Sequence, residues 1–157
     1  MEEQELRVRK IRDGTVIDHI PDGRALVVLS ILGITGEEEE VVSIAMHVPS
    51  TKLGKKDIVK IENRFLKPEE VNKIALIAET ATINIIREYR VVEKWKVKPP
   101  ARFRNLIKCP NARCITNFGR EPVEPAFEVI GLSPVKVRCS YCGIIVSGRD
   151  LLELVRQ

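Results

Sequence analysis

Four cysteines lie in two short clusters near the C-terminal end of this 157-residue chain, which contains no others. Four residues separate the first pair and two separate the second; the cysteines are Cys109, Cys114, Cys139 and Cys142. Each pair can form a tight turn that aims two sulfur atoms at one point, and four thiolates complete the tetrahedral coordination of one zinc ion. Because the protein would fill every coordination position, the pattern indicates a structural metal rather than a hydrolytic one.

Two disulfides, or another metal such as iron, are the alternatives to zinc at these cysteines. The sequence opens on Met1 and four polar residues, carries no apolar signal segment, and has no apolar run long enough to span a membrane. We therefore expect a cytoplasmic protein with no membrane partner, in a reducing compartment that favours metal over disulfides. Only about 50 residues surround the cysteines, so a bound metal would also stabilise a domain too small to fold unaided.

The charge balance gives weak support for nucleic-acid binding. The net charge is +4 and the isoelectric point is about 8.9, but 31% of residues are charged and both signs are dense. Aromatic residues make up only 4% of the chain, which leaves few surfaces on which single-stranded bases could stack. Three glutamates, Glu121, Glu124 and Glu128, also lie within the cysteine loop. A zinc-ribbon protein that binds nucleic acid is therefore kept as the alternative function, and no nucleic-acid partner is expected.

Catalytic motifs are not visible in the sequence. The chain has two histidines, His19 and His47, and lacks the phosphate-loop, nucleophile-elbow and His-Glu-x-x-His patterns. Asp18 and His19 are adjacent on a predicted strand, where neighbouring side chains point to opposite faces, so we do not expect them to work as a dyad. The sequence therefore predicts a protein that is not itself an enzyme.

A stiff linker divides the chain. Pro99 and Pro100 follow an apolar strand, and because proline cannot continue a hydrogen-bonded ladder, the two residues end the strand and form a rigid spacer. We therefore predict two domains, residues 1–98 and residues 99–157.

Hydrophobic periodicity and turn residues predict the elements of the first domain. Strands are expected at residues 6–11, 14–20, 41–48, 57–62, 81–87 and 89–97. A first helix at 24–32 would be capped by Asp22 and end at Gly33, and a second helix would begin at Pro68. This order predicts a ferredoxin-like α+β fold, an antiparallel sheet with two helices, followed by a small zinc-bound all-β domain.

The first helix carries more apolar surface than one sheet can cover. Its apolar residues do not fit one stripe, and the strand at 41–48 adds to the excess; the helix residues are Leu26, Val28, Leu29, Ile31 and Leu32. Excess apolar area of this kind usually marks a partner surface. We therefore expect the first domain to form a homodimer.

Lysines on two predicted strands could converge. Lys56 and Lys60 are four residues apart and project to one face, and Lys94 alternates with its neighbours on the last strand. Isolated strand lysines are usually solvated, whereas lysines on neighbouring strands can form a phosphate-binding cluster. The pattern alone is compatible with both interpretations.

Four segments resemble the regulatory chains of aspartate carbamoyltransferase. They are GTVIDHIP at residues 14–21, GKKDIVKIEN at 54–63, ATINII at 81–86 and CPNARCI at 109–115. The segments occur in the order expected for that family and extend over nearly the whole chain.

The resemblance implies a noncatalytic allosteric subunit in pyrimidine biosynthesis. Such chains dimerise through the first domain, bind CTP, UTP or ATP there, and join the catalytic chains through a domain that holds one structural zinc. The residues that match the family's effector site are Val8, Ile11, Val16, Asp18, His19, Lys56, Lys60, Asn84, Ile86, Tyr89, Val91 and Lys94.

The resemblance also implies a role for parts of this set. Lys94 and His19 would face the triphosphate, and Asp18 and Lys60 the ribose and its surroundings. Backbone groups near three residues would meet the base edge; they are Ile11, Ile86 and Tyr89.

Three positions depart from the family pattern. Arg9 and Gly143 stand where well-studied bacterial members carry an acidic residue, and Arg113 replaces a polar uncharged one. The resemblance places Arg9 near the effector, and Gly143 at a contact with the catalytic chain.

Overall fold

The computed structural model describes residues 10–119 and 123–157 of the chain. The predictions made for Val8, Arg9 and Glu121, and for most of the strand at residues 6–11, lie outside these ranges. The two described residues of that predicted strand, Lys10 and Ile11, belong to no strand.

Five antiparallel strands form the first sheet. They are β1 (Gly14–Pro21), β2 (Val42–Ser50), β3 (Gly54–Glu62), β4 (Thr82–Arg87) and β5 (Arg90–Lys96). Their spatial order is β2-β3-β1-β4-β5, so β1 is central and β2 and β5 are the edges. The first four strands have the ferredoxin-like arrangement, and β5 adds to it through a hairpin with β4. The predicted fold class is confirmed.

Two helices bury one face of this sheet. They are α1 (Ala25–Ile31) and α2 (Pro68–Ile77), and together they cover the apolar residues that alternate along the strands. In β3, Asp57, Val59 and Ile61 are buried whereas Ile58, Lys60 and Glu62 are partly exposed, which is the period-two pattern of a strand with one covered face. The lysines therefore lie on the face that the helices leave open.

The start of α2 follows the sequence signals. Pro68 occupies the first helical position, and the Glu70 carboxylate accepts a hydrogen bond of 2.9 Å from the Lys67 N–H. This satisfies one of the backbone donors that a helix start leaves without an intrahelical partner. The acidic first turn, Glu69 and Glu70, also suits the positive end of the helix dipole.

The cap predicted for α1 is wrong. Asp22 does not cap the helix; its carboxylate contacts the imidazole of His47 instead. The N-terminal N–H of the helix, on Ala25, donates to the Asp57 carboxylate on β3 over 2.9 Å. The helix is therefore capped through tertiary structure, by a residue 32 positions along the chain, a distance that local sequence signals cannot reveal.

The predicted end of α1 is confirmed at Gly33. The Gly33 N–H donates to Ser30 O, and the Ile34 N–H donates to Leu29 O, both over 3.0 Å. This pair of bonds is a Schellman motif, which requires a left-handed residue after the helix. Gly33 provides it with φ +69°, a conformation that costs glycine little.

A second, four-stranded antiparallel sheet holds the cysteines. Its strands follow chain order: β6 (Arg102–Arg104), β7 (Ala126–Leu132), β8 (Val135–Cys139) and β9 (Ile145–Ser147). The rings of Phe103 and Phe127 stack in its core with centroids 5.7 Å apart. Stacked aromatic pairs supply much of the packing that such a small sheet can achieve.

The described chain ends in a helix that the sequence analysis missed, α3 (Gly148–Arg156). Leu151 and Val155, four residues apart, are buried, and α3 packs against both α1 and α2. The second unit therefore contains a helix in addition to its sheet. None of the helices in the described ranges could cross a membrane by length and apolarity.

The fold predicts that Asp57→Asn destabilises the protein. Asp57 is fully buried, and its two carboxylate oxygens accept from Ala25 N (2.9 Å) and His47 N (3.0 Å). An amide has only one acceptor oxygen, so one buried N–H loses its partner, at a cost of about 1–3 kcal/mol in the free energy of unfolding. Urea denaturation without added metal measures this loss in the free energy of unfolding.

Glu38→Gln is the matched control for that change. Glu38 also accepts from two backbone N–H groups, of Thr35 and Gly36, but this carboxylate is exposed and water can replace it. Its urea midpoint should stay close to that of the parent chain. Equal midpoints for both variants and the parent would contradict the role given to Asp57.

Candidate metal centre and cationic sheet face

The four cysteine sulfurs converge on one point. The Sγ atoms of Cys109 and Cys142 are 3.6 Å apart, those of Cys114 and Cys139 are 3.7 Å apart, and all four lie within 4.8 Å of one another. A tetrahedron with metal–sulfur bonds of about 2.3 Å has edges of about 3.8 Å. The separations therefore fit a four-thiolate metal site, and they exceed the sulfur–sulfur bond of about 2.05 Å in a disulfide.

The first cysteine pair is held by backbone bonds within its own loop. Cys114 N donates to Asn111 O over 2.9 Å and leads into a 3-10 turn at Ile115–Asn117. The side-chain amide of Asn117 then donates back to Cys109 O and Asn111 O, at 2.9 and 2.8 Å. These bonds fix the turn that brings both sulfurs to the same side.

The second pair forms the connection between β8 and β9. Cys139 ends β8, and Gly143 N donates to its carbonyl over 3.0 Å. Cys139 N in turn donates to Ile144 O over 2.9 Å, which closes the turn. Gly143 departs from the acidic residue of the family pattern. It takes φ +80°, a left-handed conformation that favours glycine.

The thiols differ in how readily they ionise. Burial raises the pKa of Cys109 and Cys139. Burial also acts to raise the pKa of Cys114 and Cys142, but hydrogen bonds outweigh it. Bonds from the Thr116 hydroxyl and backbone N–H lower the pKa of Cys114. Hydrogen bonds, the largest from the Asn111 side chain, lower the pKa of Cys142 to about 7. Two of the four therefore reach the thiolate form, in which cysteine binds metal, more easily than a free thiol does.

A row of polar side chains crosses the open face of the first sheet. Lys60 on β3 is opposite Val16 on β1, Val16 is opposite Asn84 on β4, and Asn84 is opposite Lys94 on β5. Directly opposed residues of antiparallel strands share a face and lie close together. The structure therefore brings Lys60 and Lys94 to one surface, with the buried amide of Asn84 between them, where it donates to Val16 O over 3.3 Å.

Asp18 and His19 do not follow regular strand alternation. The register of β1 shifts between Ile17 and Ile20, and His19 takes φ +55°. The His19 N–H donates to Asp18 Oδ1 over 2.6 Å, and the imidazole contacts the Thr82 hydroxyl at 3.2 Å. Because the strand is irregular here, the prediction that Asp18 and His19 point to opposite faces does not apply. The two side chains nevertheless engage different partners.

Asp18 is the acidic centre of the lysine cluster. Its carboxylate lies 2.9 Å from the Lys56 ammonium, and both side chains are largely shielded from solvent. Burial would raise the pKa of Asp18, but the bonds and charge supplied by Lys56 and His19 outweigh burial and lower it. Burial also lowers the pKa of Lys60. The charge of Asp18 opposes that shift and the charge of Lys10 adds to it.

His19 lies within the positive field of several lysines. Burial lowers the pKa of His19, Asp18 opposes that shift, and the charges of three lysines lower it further; they are Lys56, Lys52 and Lys94. The His19 imidazole is therefore mostly neutral at pH 7, and an approaching anion would favour its protonated form.

The other predicted residues border this row. Ile86 is opposite Gly14 of β1 and Val91 of β5, so it continues the same face. Tyr89 lies in the β4–β5 turn, where its N–H donates to Arg12 O over 2.9 Å and ties the turn to the segment that carries buried Ile11. Except for Val8, every predicted site residue therefore lies on or beside the open face.

Two lysines of this cluster were missed by the sequence analysis. Lys52 lies in the β2–β3 turn and Lys10 precedes β1, positions where a lysine is normally solvated. They act on His19 and Lys60 respectively, through space. Neither lysine lies on a strand, so no alternation pattern could have placed it beside this face.

The two units of this chain define a class of protein: a ferredoxin-like domain with a cationic sheet face, joined to a cysteine-coordinated metal domain. A family described as the aspartate carbamoyltransferase regulatory chain, allosteric domain, matches residues 6–98, and one described as its metal binding domain matches residues 101–152. The chain belongs to the family of aspartate carbamoyltransferase regulatory chains.

Relatives agree over almost the full length. Regulatory chains named for this enzyme are 56% identical in Thermofilum pendens, over 96% of this chain and 95% of the relative, and 58% identical in Hyperthermus butylicus, over 94% and 92%. One from Pyrobaculum islandicum is 60% identical, over 95% of this chain and 99% of the relative. The prediction of a noncatalytic, regulatory subunit is confirmed, and so is that of a metal-binding domain.

The site predicts that Cys114→Ala removes the metal and unfolds the second sheet. Three sulfurs cannot complete the coordination, and folding of so small a sheet depends on its metal. Elemental analysis should show metal in the parent chain and none in the variant, while amide exchange should show lost protection in β6–β9 and retained protection in β1–β5. Ser140→Ala, between two ligands but without a sulfur, is the control and should keep its metal. A metal-free parent chain would contradict the assignment.

Proposed function

We propose that this chain is the allosteric subunit of aspartate carbamoyltransferase, which binds CTP, UTP or ATP and transmits their effect to catalytic trimers in pyrimidine biosynthesis. The observation that supports nucleotide binding is the row from Lys60 through Val16 and Asn84 to Lys94. It combines two cations with a buried amide on one open face. A nucleoside triphosphate needs this chemistry: cations for phosphate, polar groups for sugar and backbone groups for the base.

The proposed orientation runs along this face. Lys94 and His19 face the triphosphate, because His19 stands in the field of several lysines, Lys94 among them, and an anion would compensate that charge. Asp18 and Lys60 face the ribose, where the carboxylate can accept from hydroxyls. The backbone around Ile11, Ile86 and Tyr89 meets the base at the β4–β5 turn.

We propose zinc as the metal, with one ion per chain. The four-sulfur set suits zinc among common divalent metals, and the sulfur separations of 3.6 and 3.7 Å match its bond length. Four cysteines without a disulfide also suit the reducing cytoplasm. In this proposal residues 1–98 bind the effector and dimerise, and residues 99–157 bind zinc and contact the catalytic chain.

Communication between the two parts requires a physical connection. Besides the Pro99-Pro100 linker, α3 supplies one, because this helix packs on α1 and α2 and its residues Leu151 and Val155 are buried. A nucleotide that binds one quaternary state more tightly would shift the population toward that state, by no more than its difference in affinity.

The effector proposal predicts that Lys60→Ala and Lys94→Ala each weaken CTP binding. A charge-assisted hydrogen bond contributes about 1.5–3 kcal/mol, so affinity should fall by about one to two decades. The loss at Lys94 should be smaller for CMP than for CTP, because Lys94 serves the phosphates. Calorimetry on the complex with catalytic chains measures both ligands.

Lys73→Ala is the matched control for these variants. Lys73 lies on α2, on the other side of the sheet, so its removal should leave CTP affinity unchanged. Zinc content and assembly should be normal in all three variants. Parental CTP affinity in both Lys60→Ala and Lys94→Ala would show that the effector site lies elsewhere.

The dimer proposal rests on exposed apolar side chains on α1, on β2 and just before β2. Leu26 and Val41 are each 56% exposed and Ile44 is 42% exposed. Ile44→Asp should shift the chain from dimer to monomer at micromolar concentration, as measured by light scattering, because a buried unpaired charge is costly. Leu132→Asp, at an exposed apolar position of β7, should stay dimeric. A monomeric parent chain would contradict the proposal.

A further inference from the structure

Asp57 on β3 is a buried carboxylate held by backbone N–H groups. It is fully buried, and its two oxygens accept from the backbone N–H groups of Ala25 and His47. Among the described residues, no lysine or arginine nitrogen forms an ion pair with it; Lys56, its neighbour in sequence, pairs with Asp18 instead. Two N–H dipoles offset part of the cost of burying a carboxylate, and a bound cation would offset more.

Two further metal-ligating groups converge on Asp57. The register of β2 against β3 shifts between Ala45 and Val48, and His47 takes φ +61° within this shift. Its imidazole Nδ1 thereby contacts the carboxylate of Asp22, from the segment between β1 and α1. One ligand atom from each of Asp22, His47 and Asp57 lies within 4.8 Å of the other two.

We propose that Asp22, His47 and Asp57 form a second metal site, separate from the four cysteines, which takes a divalent ion such as Zn²⁺ or Co²⁺. One imidazole nitrogen and two carboxylate oxygens suit these borderline ions, with water at the remaining positions. The ion would take the place of the hydrogen bond between Nδ1 of His47 and the Asp22 carboxylate. It would also neutralise the buried charge of Asp57.

Only small movements would form this site. Ligand atoms about 2.0–2.2 Å from one ion lie no more than about 4.4 Å apart. The Asp22 and His47 side chains are 43% and 58% exposed, so they can rotate toward the ion without disturbing the core. Asp57 is already fixed by its two hydrogen bonds, and the second lone pair of each oxygen stays available for coordination.

Cobalt binding to the full-length chain tests the proposal. The chain, with its cysteine site loaded with zinc, is dialysed against Co²⁺ and the bound metal is counted. We expect one additional Co²⁺ per chain with the weak absorption of nitrogen and oxygen ligands. Cobalt that enters the cysteine site reveals itself by intense sulfur-to-cobalt bands and is not counted.

Two histidine variants decide where the additional ion binds. His47→Asn keeps a residue that tolerates left-handed backbone, so the fold should persist while Co²⁺ affinity falls by at least about tenfold. His19→Asn is the matched control, because it removes the chain's other histidine from a similar bulge and should keep the ion. No additional Co²⁺ in the parent chain, or equal affinity in His47→Asn and the parent, would overturn the proposal.

Discussion

The first domain depends on how one buried carboxylate is satisfied. Asp57 on β3 binds the first N–H of α1 with one oxygen and the N–H of His47 on β2 with the other. A helix start, an edge strand and an inner strand are thereby fixed to one another. Because unsatisfied buried polar groups are costly, this connection favours a single register for the β2–β3 hairpin. That register places Lys56 and Lys60 on the open face, while Asp57 points to the helices.

The sequence reveals most of this architecture because its signals are local. Pro68 and Gly33 require particular backbone conformations, and they stand at a helix start and just after a helix end, as predicted. Alternation along β3 correctly separates Lys60 from Val59 and Ile61. The cysteine spacing likewise predicts a convergence that needs no knowledge of the rest of the fold.

What the sequence does not reveal depends on long-range contacts. Asp22 is of a residue type that commonly caps helices, but its carboxylate contacts His47, and Asp57 accepts the first N–H of the helix instead. The bulge at His19 breaks an alternation that the sequence pattern assumes to be regular. Helix α3 is a different case, because Leu151 and Val155 stand four residues apart, a local signal of an amphipathic helix that the sequence analysis did not use. The first two misses concern partners far away in sequence.

The position of the metal ligands along the chain orders events during synthesis. The last residue of the first sheet, Lys96, precedes every cysteine, whereas Cys142 comes after β8 and just before β9 and α3. The first domain can therefore fold while the ribosome is still adding the second, which cannot bind its metal until all four sulfurs have emerged. The metal-bound part, and the α3 contacts that join it to α1 and α2, are completed last. Synthesis itself thus delays the finished two-domain form until α3 has been made.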